Sequence, residues 1–110
     1  MVRWLPQFTA RVHLTFAEHG EDRRRSFTFD ESCERRVPMS MDGVEGLHTV
    51  GLAIESPGTF KTGEDITVGC RVIWPEGFTA VVRPGVRFRL WDAGFFADGV
   101  VLERHDTAWP

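Results

Sequence analysis

A chain of 110 residues, 42% hydrophobic and 26% charged, holds one domain with one modest core, residues 1–110 forming a single unit. That composition excludes a disordered chain and a collagen-like fibre, and no apolar run reaches the ~20 residues of a membrane-spanning helix. Twelve Arg and one Lys against sixteen acids leave a net charge of −3, the opposite of the basic surplus by which most nucleic-acid binders neutralise phosphate.

Alternation with period two runs through the chain. Phe8, Ala10, Val12, Leu14 and Phe16 share one face and Thr9, Arg11, His13 and Thr15 the other, which predicts a strand with one buried and one wet side. Glu18 to Glu21 break it, Arg25-Phe27-Phe29 begin a second strand, and Val37-Met39-Met41 form a third in which Pro38 marks an edge. His48-Val50-Leu52-Ile54 follows, with turn signals at Pro57-Gly58 and Lys61-Thr62-Gly63-Glu64. Ile66, Val68, Cys70, Val72 and Trp74 then fill one face against Thr67, Gly69 and Arg71, and Pro75-Glu76-Gly77 closes the strand. A short segment from Thr79 to Val82 precedes Val86-Phe88-Leu90, which alternates with Arg87-Arg89-Trp91. Asp92-Ala93-Gly94 turns the chain, and Asp98-Gly99 leads into Val100-Val101-Leu102 as the last strand.

About seven or eight strands with turns roughly every 10 residues predict an all-β fold, a small closed antiparallel β-barrel with its core between about residues 8 and 103. No apolar stripe at helical spacing occurs, so almost no helix is expected. The first five residues and the tail from His105 to Pro110 are expected to be loosely held.

The stretch Pro84-Gly85-Val86-Arg87-Phe88-Arg89-Leu90-Trp91-Asp92-Ala93-Gly94-Phe95-Phe96-Ala97-Asp98-Gly99-Val100-Val101 resembles the closing hairpin of the third, C-terminal β-barrel of translation elongation factor Tu. Phe8 to Leu14 is similar to that barrel's first strand, Thr62-Gly63-Glu64-Asp65 to the turn before a strand like Ile66 to Val72, and Pro75 to a Pro after it. The resemblance implies a stand-alone barrel of that type, a translation-type protein, while a cytoplasmic location is expected separately, because Met1 to Pro6 hold no apolar stretch long enough for a signal peptide. It does not imply GTP hydrolysis, because the sequence holds no G-x-x-x-x-G-K-[ST] loop. The family's polar hairpin turn is replaced by Trp91-Asp92-Ala93-Gly94-Phe95-Phe96, and its Gly-Gly-Arg loop by Gly20-Glu21-Asp22-Arg23, which weakens phosphate attraction at both places.

No catalytic, metal or cofactor site is nominated. The four histidines are scattered, no C-x-x-C occurs, and paired carboxylates such as Glu64-Asp65 fall at turns. Cys33 lies in a charged run without a partner His, Cys70 reads as a small core residue, and two reduced thiols are expected of a cytoplasmic protein, a disulfide between them being the alternative. The candidate partner-binding residues are Arg87, Arg89, Trp91, Phe95 and Phe96, because an outward Trp beside two Arg has the composition of a binding hot spot. A packed satellite, with Arg stems on Trp91 and a Phe folded inward, is the competing reading.

The leading functional expectation is therefore a non-enzymatic module that binds a protein, translation-related or a toxin that it neutralises. The alternative is an RNA-binding module in which Arg23, Arg24 and Arg25 contact phosphates and surface aromatics stack on bases, against which the net charge stands. The second alternative is a barrel whose mouth takes a small ligand or substrate.

Overall fold

A computed structural model of the chain describes residues 4–15 and 26–110. The described residues form eight strands: β1 (Phe8–Leu14), β2 (Ser26–Phe29), β3 (Glu34–Met41), β4 (His48–Ala53), β5 (Gly58–Lys61), β6 (Asp65–Val72), β7 (Arg87–Trp91) and β8 (Phe95–Arg104). Six of them close a barrel in the order β1-β6-β4-β3-β7-β8, while β2 and β5 pair as a separate two-stranded sheet. Every pairing is antiparallel, and β8 returns to β1 to complete the ring. The small closed antiparallel barrel expected from the alternation is the fold.

The period-two pattern has a direct physical outcome. Phe8, Ala10, Val12 and Leu14 of β1, Val68 and Cys70 of β6, and Phe88 and Leu90 of β7 are buried in one core. The intervening Arg11, Thr67, Arg71, Arg87 and Arg89 stand on the wet side. A barrel this narrow leaves room for large rings only where a neighbouring strand is bare. Gly99 supplies that space for Phe88, since a Cβ there would lie 2.2 Å from the Phe88 ring. The two-stranded sheet is stapled on by a run of rings, Phe60 to Phe29 (6.3 Å), Phe29 to Phe27 (5.2 Å) and Phe27 to Phe96 of β8 (5.1 Å).

Two local expectations about strands change. β3 is not an edge strand, for it pairs with β4 and β7 on its two sides. Pro38 is nonetheless placed where its missing N–H costs nothing, because the β3–β7 ladder covers only Met39, Ser40 and Met41. The segment from Thr79 to Val82 is no strand: a 3-10 turn at Pro75–Gly77 runs on into turns held by Val81 N to Phe78 O (2.9 Å) and Val82 N to Phe78 O (3.0 Å), which buries Phe78 and Val82.

The described residues near both ends, Trp4 to Gln7 and Arg104 to Trp109, are anchored where loosely held segments were expected. Trp4 and Pro6 lie across the outside of β4 and β6, over the bare backbones of Gly51 and Gly69. In the tail, Trp109 Nε1 donates to Gln7 O (3.1 Å) beneath the Arg104 guanidinium, which sits 4.4 Å from the ring centroid. Polar groups, not chain position, decide this: the Gln7 side chain is buried and its Oε1 accepts from Val72 N (2.8 Å), tying the entry segment to β6.

Both thiols are free and buried. Cys33 takes a left-handed conformation (φ 60°) in the turn closed by Cys33 N to Asp30 O (2.9 Å), so its charged neighbours face solvent while the thiol turns inward. Burial pushes the Cys70 thiol far above its ordinary range, leaving no reactive thiolate near neutral pH. Folded protein treated with iodoacetamide at pH 8 should therefore leave Cys70 unmodified by mass spectrometry, whereas protein in denaturant should be alkylated at both cysteines. Labelling of Cys70 in the folded protein would contradict this core packing.

Candidate interaction surface

Among the described residues the exposed large hydrophobic side chains are Leu5, Leu47, Ile73, Trp74 and Leu102. All but Leu102 belong to one side of the barrel, around the outer face of β4 and the exit of β6. The geometry follows from where β6 stops. Val72 points inward, so Ile73, whose N donates to Thr49 O (3.4 Å), falls on the outer face. Pro75 then starts the 3-10 turn, and Trp74 leaves the strand instead of joining the apolar row of Ile66, Val68, Cys70 and Val72.

Trp74 is held in place although it is 49% exposed. Its ring lies over Gly77, where a Cβ would come within 2.2 Å of it. It packs on the His48 ring at 5.2 Å, and both rings meet the buried Phe78 edge-on at 5.5 Å and 6.4 Å. His48 is oriented in turn by Nε2 donating to Glu45 O (2.7 Å). Further along the same face, Arg71 Nη1 donates to Leu5 O (3.0 Å), which fixes Leu5 with its side chain outward. Rigid aromatic, aliphatic and guanidinium groups thus share one outer surface.

An open groove of about 730 Å³ adjoins it, lined by Pro6, Thr9, Ala53, Ile54, Glu55, Thr67, Val68 and Gly69. It runs along the outside of the barrel and not into its mouth, because the interior is filled by side chains.

The residues singled out from the sequence divide. Arg87 and Arg89 stand exposed on β7, and the Arg89 guanidinium lies 3.9 Å from the centroid of the Phe95 ring. One face of Phe95 is therefore already covered. Trp91 is half-buried at a register shift where it opposes Phe95. Phe96 is completely buried against Phe27, so its part is in the core, as the inward-folding reading had it. Arg23, Arg24 and Arg25 lie outside the described residues.

His13 pairs with Asp65 at 2.7 Å on the wet side of β1 and β6, and His105 meets Thr9 Oγ1 at 2.7 Å. These contacts tie strands and termini together. Among the described residues no group of three or more His, Cys, Asp or Glu is placed to hold a metal ion, and no helix is long and apolar enough to cross a membrane.

The surface around Trp74 was missed by the reading of the sequence because Trp74 continues the period-two count perfectly. The available signal was the neighbouring Ile73: two large apolar residues in succession cannot both face inward from a strand. No family model and no curated protein matches the chain.

Proposed function

We propose that this protein is a non-enzymatic interaction module that binds a protein partner through the outer face carrying Leu5, Leu47, Ile73 and Trp74. The observation that supports it most is the collection of four exposed apolar side chains on one rigidly held surface. A monomeric soluble barrel has no structural need to keep a Trp half in water when six of the eight described Phe are buried and the other two half-buried. The resemblance of its closing hairpin to the third barrel of elongation factor Tu supports the same reading, a barrel that works by contact and not by chemistry. The partner is translation-related or a toxin that the module neutralises.

The test is capture from native lysate, with and without ribonuclease, using the whole chain and its Trp74→Ala and Trp91→Ala forms. The expected result is a nuclease-resistant protein whose affinity falls by at least about 2 kcal/mol, roughly thirtyfold, on Trp74→Ala. Trp91→Ala should leave it within a few-fold. Capture of RNA that is lost with ribonuclease would replace this reading with nucleic-acid binding. Unchanged capture by a folded Trp74→Ala form would remove the surface from the assignment.

A further inference from the structure

The groove beside Pro6 marks a place where the barrel's hydrogen-bond ladder is incomplete. Along an antiparallel strand, alternate residues direct their N–H and C=O groups to opposite neighbours. Gly69 and Arg71 of β6 oppose Ala53 and Gly51 of β4, and Ile73 N donates to Thr49 O, so the odd-numbered positions of β6 face β4. Thr67 shares that parity. β4, however, ends at Ala53, and the chain turns away there as Ile54 N donates to Cys33 O (2.9 Å). Thr67 is left opposite Arg11 of β1 on one side and the groove on the other. Its backbone N–H and C=O have no protein partner on the groove side among the described residues.

The same barrel treats its other incomplete ladder differently. Where β3 runs past β7, Pro38 removes one of the donors that a foreign strand would use. Beside Thr67 no bulge or covering helix intervenes among the described residues, and Pro6 covers only the next edge position, Gly69. The groove floor there is shaped by small and apolar groups, Pro6, Ala53, Ile54, Val68 and Gly69, which lets another backbone come close.

The charged groups closest to the opening are carboxylates. Glu55 lines the groove, Glu34 stands opposite Ala53 on β3, and Asp65 lies two residues along the same edge of β6, where it holds His13. The nearest cations are Arg11, across β6 from the groove, and Arg36 and Arg71, both opposite Gly51 and so one ladder pair further from Thr67 than Glu34, with Arg71 engaged by Leu5 O.

We propose that the open edge of β6 accepts an extended, cationic segment of the partner protein as an added strand, a statement that rests on the protein-partner reading above. Main-chain bonds to Thr67 give the segment its direction and register, its apolar side chains cover Ala53 and Ile54, and Arg or Lys side chains meet Glu34 and Glu55.

The probe is the peptide acetyl-Gly-Arg-Val-Arg-Val-Arg-Gly-amide, compared with its Glu-for-Arg counterpart and with a form N-methylated at both Val residues, each titrated into the full chain. Nuclear magnetic resonance should show Thr67, Gly69 and Ile54 amides shifting with the Arg peptide, and hydrogen exchange at Thr67, faster than at Val68 in the free protein, slowing by about tenfold or more on binding. The Glu and N-methyl peptides should not bind. The double variant Glu34→Gln, Glu55→Gln, each residue exposed or half-exposed, should weaken the Arg peptide by roughly threefold to tenfold, with a smaller loss on adding salt than the unmodified chain shows.

A Thr67 amide that is already protected in the free chain would overturn the proposal. So would shifts that bypass the groove, or equal binding of the N-methyl peptide. If the Arg peptide fails while Trp74→Ala still releases the captured partner, strand addition falls and the protein-partner reading stands. If the peptide binds as described and capture ignores Trp74, the groove is retained and the apolar face is not the contact.

Discussion

Gly99→Ala should lower the unfolding free energy by about 3 kcal/mol, the upper end of what one added methyl costs in a filled core. Gly99 sits on β8 opposite both Val12 of β1 and Phe88 of β7. A Cβ there would meet three Phe88 ring atoms at 2.2, 2.3 and 2.6 Å. The ring cannot slide freely, because its other side meets Phe8 edge-on at 6.3 Å and Phe8 is itself fully buried. Either the strands part, which stretches ladder bonds on both sides of β8, or Phe88 leaves its rotamer. Urea unfolding should show a lower midpoint with an unchanged slope. A second substitution, Phe88→Leu, should recover part of the loss in the Gly99→Ala background while destabilising the unmodified protein. Additive effects of the two changes would contradict the direct contact.

Phe96→Ala should cost about 3–5 kcal/mol, the range for removing a fully buried aromatic ring. That is a large part of the ~5–15 kcal/mol that holds a typical domain folded. Phe96 has no exposed surface and packs on Phe27, so the cavity would open between β8 and the β2–β5 sheet. Arg35 also braces this sheet, with its guanidinium 4.6 Å from the Phe27 ring centroid and Nη1 donating to Thr28 O (2.6 Å). Hydrogen exchange should consequently speed up first in β2 and β5 and last in β1 and β6. A Phe96→Ala protein of unchanged midpoint would mean that the ring is dispensable to the core.

Phe96 also shows why the hairpin was hard to read from its residues. Phe95-Phe96 directly after a turn looks like an exposed aromatic pair, since turns favour polar groups. The second sheet, brought over from residues 26–29 and 58–61, covers Phe96, and the Arg89 guanidinium covers a face of Phe95. Both covers come from elsewhere in the fold. At Trp74 the error runs the other way: the period-two count carries it into the core, while Pro75 and the 3-10 turn at Pro75–Gly77 take it out.

What the sequence determined by itself is the all-β class, the inward and outward faces of β1, β6 and β7, and the turns between them. Those depend on side-chain alternation and local backbone preference, and both are written in consecutive residues. The tertiary structure alone decided which strand lies beside which, that β2 and β5 stand apart from the barrel, and that Gly51 and Gly69 make a bed for Trp4 and Pro6. It also decided that β4 stops short of Thr67, which leaves the edge of β6 open. Contacts of this kind join residues distant in the chain, and a ladder's end depends on the lengths of two strands together, which neither strand's own pattern encodes.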